Sequence, residues 1–233
     1  MEKDLDFERA CELFLGDGVE KDTKKAFELF KLCADRGNIE AMVNLAGIYY
    51  SGEGAEKDLG KAFELLTECA EKGHADAAYN LGSMYFLGEG VEKDDSAAAK
   101  YILMSAKQGH TEAMYNMGVL HMEGFGVEKN IQKSIGWFMK AAKENHIPSI
   151  DSLAKIYYAG INTEKNYKKA AGWWEKGAGL NDSECLFNLG VMYFQGTGVS
   201  QNSEKTAELW TKSAELGNKK AIKNLELLMK KDI

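Results

Sequence analysis

The sequence predicts an all-α solenoid, a fold in which helical hairpins stack on one another along the chain. The first reason is an internal period, because many positions 36 residues apart carry the same type of side chain without insertion or deletion. Periods of roughly 20–50 residues are typical of repeat arrays. The clearest series consists of Asp22, Asp58, Asp94, Asn130, Asn166 and Asn202. We therefore expect a single domain, residues 1–233, with six repeats at about 5–40, 41–76, 77–112, 113–148, 149–184 and 185–220.

Each repeat contains the signals of two helices, which is the second reason. In AMVNLAGIYY, residues such as Ala41, Leu45 and Ile48 fall on one face of a helix at about 100° per residue. The Asp/Asn series then marks the start of a second helix, since these side chains accept hydrogen bonds from the first free amides. That helix ends at residues suited to a helix C-terminus, Gly37, Gly73, Gly109, Asn145, Asn181 and Gly217.

A thirteenth helix, about residues 219–230, closes the predicted stack. It keeps Ala221, Leu225 and Leu228 for packing and exposes several lysines, as the polar outer face of a terminal repeat requires. The first helix, LDFERACELF, shows less polar character, so we expect the N-terminal end to be the less protected one.

Composition narrows the class of partner. The chain has 36 acidic against 29 basic residues, a net charge of −7, which disfavours nucleic acid. A hydrophobic fraction of 45% with 28% charged residues is typical of a globular protein, and no apolar run reaches the roughly 18 residues of a membrane span. The opening MEKDLDFERA does not resemble a signal peptide. We expect a cytoplasmic protein, or a secreted or periplasmic one if a leader has been removed.

Cysteines and histidines do not follow metal-binding spacings. Cys11, Cys33, Cys69 and Cys185 form no C-x-x-C pair, and we expect buried, reduced thiols. His74, His110 and His146 recur every 36 residues, which places them on the order of 10 Å apart, too far to share one ion. We expect these histidines to be helix caps, and we expect neither a metal nor a cofactor.

The unit A-x-x-N-L-G-x-x-Y-x-x-G-x-G-V-x-x-D-x-x-x-A…A-x-x-G resembles the Sel-one-like repeat, a relative of the tetratricopeptide repeat, over residues 5 to about 229. The resemblance implies a right-handed superhelix whose first helices line a concave groove, and a role as adaptor or scaffold for proteins or extended peptides. Some cysteine-rich relatives are linked to β-lactam binding or hydrolysis. Their cysteine pairs are missing here, because Ala41, Ala77 and Gly177 stand opposite Cys33, Cys69 and Cys185.

A series of asparagines lies in the middle of the first helices, where this residue type is unfavourable. Its members are Asn44, Asn80, Asn116, Asn188 and Asn224, with Ser152 in the fifth repeat. The amides are suited to bind the backbone of an extended peptide, since each carries a donor and an acceptor. The alternative is that each amide bonds a neighbouring helix and holds the repeats in position.

Two rows of aromatic side chains accompany these asparagines. The first contains Tyr79, Tyr115 and Phe187, and the second contains Phe86, Tyr158 and Phe194 beside Tyr50. Rings are good anchors for a ligand because they bury much area with little loss of rotamer entropy. Packing between repeats explains the same pattern, so both interpretations stay open.

Charged residues at the helix starts allow two further interpretations. The helix dipole favours acidic residues at the starts of the first helices, and a basic ligand would also be attracted to them. These residues are Glu40, Asp76, Glu112 and Glu184. Lys220 and Lys223, near Asn188 and Asn224, resemble the clamp with which related repeats hold a C-terminal carboxylate. A lysine-rich helix end is equally explained as a soluble cap.

The sequence thus predicts a non-catalytic scaffold or adaptor that binds a protein or peptide. We expect a monomer, or weak self-association. The alternatives are a β-lactam-binding or hydrolysing protein, and a structural spacer that self-associates through its N-terminal end.

Overall fold

The fold was analysed in a computed structural model, which describes residues 4–229. All regular structure in this part of the chain is α-helical, which confirms the predicted class. The thirteen helices are α1 Leu5–Leu15, α2 Thr23–Asp35, α3 Ile39–Ser51, α4 Leu59–Glu71, α5 Ala75–Leu87, α6 Asp95–Lys107, α7 Thr111–Glu123, α8 Ile131–Lys143, α9 Ile147–Ala159, α10 Tyr167–Gly179, α11 Ser183–Gln195, α12 Ser203–Glu215 and α13 Lys219–Met229. Odd-numbered helices are the first helices of the repeats, and even-numbered helices are the second.

Side-chain caps fix where the helices begin. The Asp/Asn series caps every second helix, as predicted. In α4, for example, Asp58 accepts a hydrogen bond from the amide of Lys61 at 3.0 Å. The histidines cap first helices, also as predicted, and His74 Nδ1 accepts from the amide of Ala77 at 3.2 Å. A cap contributes about 1 kcal/mol to helix stability, and its recurrence explains why the repeat boundaries are regular.

Two compact units divide the chain between Lys129 and Asn130. Within the N-terminal unit, each first helix packs on the preceding repeat. Leu45 and Ile48 share a core cluster with Phe30 and Cys33 of the repeat before. In the C-terminal unit, Leu189 and Met192 belong in the same way to a cluster that contains Trp174 of the preceding repeat. That the two units form one domain stays a prediction.

A position in the middle of the first helices is restricted to glycine or alanine, because the second helix of the same repeat approaches it closely. A Cβ atom on Gly82 would lie 2.7 Å from Cγ1 of Ile102, and one on Gly190 would lie 2.5 Å from Cδ1 of Trp210. The small residue that the sequence shows in all six repeats is therefore a packing requirement.

The N-terminal end is more polar than the sequence analysis expected. The residues equivalent to Arg9 and Glu12 in later repeats, such as Leu45 and Ile48, are buried against a preceding repeat. In α1 both positions are charged and exposed, and Arg9 Nη1 pairs with Glu12 Oε2 at 2.8 Å. Leu5 is 72% exposed beside them. Two of these three interface positions carry charges that would be costly to bury in a stacked copy. That the N-terminal end is the less protected one stays a prediction.

The last helix has the predicted polar character within the described residues. Ala221 is buried, while Lys219, Lys220 and Lys223 are exposed. Lys230, at the predicted end of this helix, lies outside the described residues. Among the helices of residues 4–229, not one is both long and apolar enough to cross a membrane.

Candidate peptide-binding face

The exposed side of the first helices carries the residues that the sequence singled out. We call this side the first-helix face. It is formed by α1, α3, α5 and α7 in the N-terminal unit and by α9, α11 and α13 in the C-terminal unit.

The asparagine series divides into bonded and open members. Asn44 donates to the carbonyl of Glu40 in its own helix at 3.0 Å. Asn116 donates to the hydroxyl of Tyr79 in the preceding repeat at 3.3 Å. Asn80 is exposed and has no hydrogen-bond partner among the described residues. Within the N-terminal unit, then, Asn116 serves the stacking of repeats, whereas the amide of Asn80 is available to a ligand.

In the C-terminal unit, Asn188 and Asn224 are both half-buried. The site roles predicted for all five asparagines stay predictions.

The first aromatic row is largely engaged within the protein. Tyr79 stacks on His110 with ring centroids 4.6 Å apart and an interplanar angle of 22°. Phe187 stacks on Trp210 with centroids 6.2 Å apart. Tyr115 is half-buried and also has an interaction within the protein. These contacts account for Tyr79 and Phe187 as packing residues, and both side chains are half-buried.

The second aromatic row is more accessible at some positions than at others. Phe194 is 43% exposed and Tyr50 37%. Phe86 is half-buried and meets Phe125 edge to face at 5.9 Å. Tyr158 instead lies between Tyr167 and Trp174, with ring centroids 5.3 and 5.4 Å away.

Three crevices open on the first-helix face at equivalent places in the repeat. Each lies between two successive first helices, and a second helix forms its floor. The α3/α5 crevice has a volume of about 210 Å³ and is lined by Ala46, Gly47, Tyr50, Leu66, Asn80, Ser83 and Met84. The α5/α7 crevice has about 110 Å³ and is lined by Phe86, Ile102, Asn116, Val119 and Leu120. In the C-terminal unit, the α11/α13 crevice has about 300 Å³ and is lined by Val191, Phe194, Gln195, Trp210, Asn224, Leu227 and Leu228.

The crevices share one chemical plan. Every one has an aromatic residue of the second row, an asparagine of the series and a large apolar residue from a second helix. An apolar floor with a few polar groups at the rim is the usual composition of a ligand site. The α3/α5 crevice, whose rim carries the open amide of Asn80, therefore combines a cavity for an apolar side chain with an amide that can bond a peptide backbone.

Sequence analysis missed one class of contributor to these crevices. Leu66, Ile102 and Trp210 belong to the second helices, which the sequence analysis treated only as packing elements. A large apolar residue at 36-residue spacing was the available signal. Gly47 lies on the side of α3 that the packing face leaves over, and an added Cβ there would meet no atom within 4 Å. In later repeats Val119 and Val191 occupy its position and have branched side chains.

A repeated contact between an acid and a histidine cap connects neighbouring repeats on this face. His74 Nε2 lies 3.1 Å from a carboxylate oxygen of Glu40, within hydrogen-bonding distance, and His110 Nε2 lies 3.5 Å from one of Asp76. Nδ1 of each ring accepts the amide hydrogen bond of its helix cap, so Nε2 is the ring atom that faces the acid.

The corresponding acid of the C-terminal unit is charge-compensated. Glu184 accepts hydrogen bonds from Lys220 Nζ at 2.7 Å and from Asn218 Nδ2 at 3.0 Å. The Lys220 ammonium is the main reason that the pKa of Glu184 is below its ordinary value. Lys220 also lies 5.6 Å from the centroid of Phe187. Of the two lysines of the predicted carboxylate clamp, Lys220 is thus paired with Glu184, while Lys223 is exposed. The clamp stays a prediction.

The thiols are poor candidates for chemistry. All four cysteines are free, and Cys33, Cys69 and Cys185 are buried. Burial, together with the charge of Asp4, raises the pKa of Cys33 to about 11. Burial raises the pKa of Cys185 as well. These thiols stay protonated at neutral pH, and the thiolate is the nucleophilic form. Within the described residues, no group of three or more His, Cys, Asp or Glu side chains could hold a metal ion.

A family model for the Sel1 repeat matches six segments of the chain, residues 7–38, 39–74, 75–110, 111–146, 150–182 and 183–218. The chain belongs to the Sel1 repeat family. This confirms the resemblance found in the sequence and the expected number of repeats. Proteins of this family are generally non-catalytic protein-interaction scaffolds.

Solved structures of Sel1 repeat proteins have a similar fold. A protective antigen of uropathogenic Escherichia coli with an SLR fold is 32% identical, with a TM-score of 0.88 over 93% of this chain and 46% of its own. A Sel1 repeat protein from Oxalobacter formigenes is 28% identical, with a TM-score of 0.82 over 96% of this chain and 64% of its own. This Sel1 repeat chain therefore spans less than two thirds of either relative.

More distant structures share the fold alone. An immunity protein of Pseudomonas aeruginosa is 20% identical, with a TM-score of 0.52 over 91% of this chain and 81% of its own. No curated protein matches the sequence of this chain significantly.

Proposed function

We propose that this Sel1 repeat protein is a non-catalytic adaptor whose first-helix face binds an extended segment of a partner protein. The observation that carries the proposal is the recurrence of one crevice type at three equivalent places. A segment lying across the first helices of the N-terminal unit would place apolar side chains in its two crevices and bond its backbone to amides such as that of Asn80. Membership of the Sel1 repeat family, whose proteins are generally protein-interaction scaffolds, supports the same function.

The crevices differ from ordinary gaps in packing because polar groups at their rims are not all satisfied internally. Asn80 is exposed at the rim of the α3/α5 crevice and lacks a partner among the described residues. Asparagine in a helix interior costs some tenths of a kcal/mol relative to alanine. At Asn116, the hydrogen bond to Tyr79 offsets this cost within the protein. At Asn80, only a hydrogen bond to a ligand would offset it.

The proposal excludes turnover of small substrates as the main activity. The raised pKa values of Cys33 and Cys185 leave little thiolate at neutral pH. With a chromogenic β-lactam as probe, we expect hydrolysis at the rate of buffer alone. Hydrolysis that rises in proportion to protein concentration would contradict the non-catalytic part of the proposal.

A filled crevice tests the binding role. Gly47→Leu introduces a side chain where space is open and where the α3/α5 crevice begins. The matched control is Gly136→Leu in α8, a second-helix position that is exposed and equally open. Both changes replace glycine inside a helix, so both should raise helix stability by somewhat under about 1 kcal/mol.

The measurement is selection from a library of random linear peptides on the immobilised protein. We expect the wild-type protein and Gly136→Leu to enrich the same peptides and Gly47→Leu to lose them, with Asn80→Ala weakening their binding severalfold. Equal enrichment by Gly47→Leu, or the absence of any peptide that depends on the first-helix face, would refute the proposed function.

A further inference from the structure

The two crevices of the N-terminal unit and the charge beside them define the chemistry of the bound segment. We propose that this unit binds a basic extended segment with two apolar side chains three residues apart, the larger in the α3/α5 crevice and the smaller in the α5/α7 crevice. This inference rests on the proposed function and specifies its ligand.

The spacing follows from the repeat. The α3/α5 and α5/α7 crevices lie at equivalent positions of successive repeats, and packed helices are separated by about 10 Å. An extended chain advances about 3.3 Å per residue, so about three residues span one repeat. Two side chains at positions i and i+3 would therefore meet the two crevices.

The size preference follows from the volumes. The α3/α5 crevice, at about 210 Å³, is nearly twice as large as the α5/α7 crevice, at about 110 Å³. Gly47 leaves the larger crevice open on its α3 side, and Ser83 lines its α5 side. In the smaller crevice Val119 stands 36 residues after Ser83, at the equivalent place, and its bulkier side chain narrows the space. A leucine-sized side chain fits the first, and a valine-sized side chain fits the second.

Net negative charge lies on the same helices. The helices α3, α5 and α7 contain four acidic residues and neither lysine nor arginine: Glu40, Asp76, Glu112 and Glu123. The side chains of Glu40 and Asp76 are each 64% exposed, and no lysine or arginine of the described residues pairs with them. Both carboxylates therefore lie at the surface, where a basic ligand can reach them.

The acids lie within reach of a ligand at the crevices. Asp76 precedes Asn80 by one helical turn, which is about 6 Å along the axis at 1.5 Å per residue. A lysine or arginine side chain between the two apolar residues would reach this row while the segment's backbone lies along the asparagines. Charge complementarity thus selects a basic segment over an acidic one.

Charges on the other side of the crevices are mixed and do not reverse this preference. Lys93 pairs with Asp95 at 3.4 Å and lies 5.3 Å from the ring centroid of Phe86. Lys57 lies over Tyr50, whose hydroxyl donates to Glu89. Bases and acids balance at this edge, so the acid row at the helix starts determines the net field.

Three labelled peptides test the inference by fluorescence anisotropy. The first is acetyl-Ser-Leu-Lys-Lys-Val-Lys-Ser-amide, the second has glutamate in place of each lysine, and the third has serine in place of leucine and valine. At low salt we expect the first to bind at least fivefold more tightly than either of the others. Because the field of exposed charges is screened, the advantage over the glutamate peptide should fall in 0.5 M salt.

Charge-neutral variants locate the effect. Glu40→Gln combined with Asp76→Asn should weaken binding of the lysine peptide about fivefold, since each exposed pair contributes up to about 1 kcal/mol. Glu64→Gln combined with Glu71→Gln removes the same net charge from α4, at exposed positions, and should change the affinity less than twofold. Gly47→Leu should abolish binding.

Three results would overturn the inference. The first is tighter binding of the glutamate peptide, and the second is a lysine peptide that binds no better than the peptide with serine in place of leucine and valine. The third is an equal loss of affinity for the lysine peptide in both double variants. Each of these results leaves the proposed function intact if library peptides still depend on Gly47. Failure of the library selection would instead remove both proposals.

Discussion

The two units use one repeat scaffold but present different charge on their first-helix faces. In the N-terminal unit, Glu40 and Asp76 lie 3.1 and 3.5 Å from Nε2 of His74 and His110. In the C-terminal unit, Glu184 pairs with Lys220, whereas Pro148 takes the place of the acid in α9 and Asp151, one turn later, pairs with Lys155. Few substitutions per repeat thus change the charge of the face while each repeat keeps its two helices.

The floors of the crevices also differ between the units. Leu66 and Ile102 form aliphatic floors in the N-terminal unit, whereas Trp210 forms the floor in the C-terminal unit and donates from Nε1 to the carbonyl of Phe187 at 3.1 Å. A hydrogen-bonded indole is less able to move than an aliphatic side chain. We therefore expect the C-terminal unit to tolerate changes at its floor less well.

The largest predicted effect compares two glycines at the same repeat position. Gly190→Ala would place its Cβ 2.5 Å from both Cδ1 and Nε1 of Trp210, and we expect a loss of about 2–3 kcal/mol in unfolding free energy. Gly82→Ala would place its Cβ 2.7 Å from Ile102 Cγ1 and 3.1 Å from the backbone atoms Ala98 O and Ile102 N. We expect a smaller loss, of about 1 kcal/mol, because the Ile102 side chain can shift and the backbone contacts need only a small adjustment. Urea unfolding followed by circular dichroism measures both. Equal losses would show that the indole floor is no more rigid than the aliphatic one.

The next effect concerns the ion pair of the C-terminal unit. Asp151 Oδ1 accepts a hydrogen bond from Trp174 Nε1 at 3.0 Å. Asp151→Ala leaves this indole donor, on a largely buried tryptophan, without its partner, so we expect a loss of about 1–2 kcal/mol. Asp151→Asn, which keeps an acceptor, should lose less. Thermal melts of the two variants test the order, and a larger loss for the amide would mean that the charge on Asp151 matters more than its hydrogen bond.

A third prediction makes the C-terminal unit resemble the N-terminal one. Lys220→Gln removes the cation that compensates Glu184 and keeps a hydrogen-bonding side chain. We expect binding of a lysine-containing peptide to the C-terminal unit to strengthen about twofold to fivefold, as removal of one exposed cation implies. Lys212→Gln, which removes an exposed cation from α12, is the control and should have a smaller effect. Unchanged affinity in Lys220→Gln would show that the charge of Glu184 does not influence binding of the lysine-containing peptide.

The smallest effect is a pH dependence. The pKa of Glu184 is lower in the folded protein than its ordinary value of 4.5, chiefly because Lys220 donates to its carboxylate. Its contribution to stability is therefore present above the unfolded pKa and is lost as pH falls through the lower folded pKa. Since the side chain is 37% exposed, solvent screening limits the contribution to under about 0.5 kcal/mol. In Glu184→Gln, the unfolding free energy should therefore change less with pH between about pH 5 and pH 3 than it does in the wild-type protein. An unchanged slope would contradict this assignment.

Local features of the fold could be predicted from sequence because their causes are local. The caps at Asp58 and His74 depend on a side chain and an amide three residues away. The small residue at Gly82 shows in its series, although the contact with Ile102 required the structure. The polar N-terminal end was also readable in principle, because Arg9 and Glu12 stand 36 residues before Leu45 and Ile48.

Features that join repeats could not be predicted in the same way. The bond between Glu40 and His74 connects residues 34 positions apart, and it depends on how two helices are aligned. The difference between the open amide of Asn80 and the bonded amide of Asn116 depends on where the Tyr79 hydroxyl lies. Crevice volume combines three helices, so the asparagine series alone could not distinguish binding from packing.

The central claim is that the α3/α5 crevice receives an apolar side chain of a partner while Asn80 bonds its backbone. The most direct test is nuclear magnetic resonance of the Asn80 side-chain amide and the Met84 methyl group during titration with the lysine peptide. We predict that both signals shift together in the wild-type protein and in Gly136→Leu and that neither shifts in Gly47→Leu. Shifts of equal size in Gly47→Leu, or peptide binding that leaves both signals unmoved, would contradict the account.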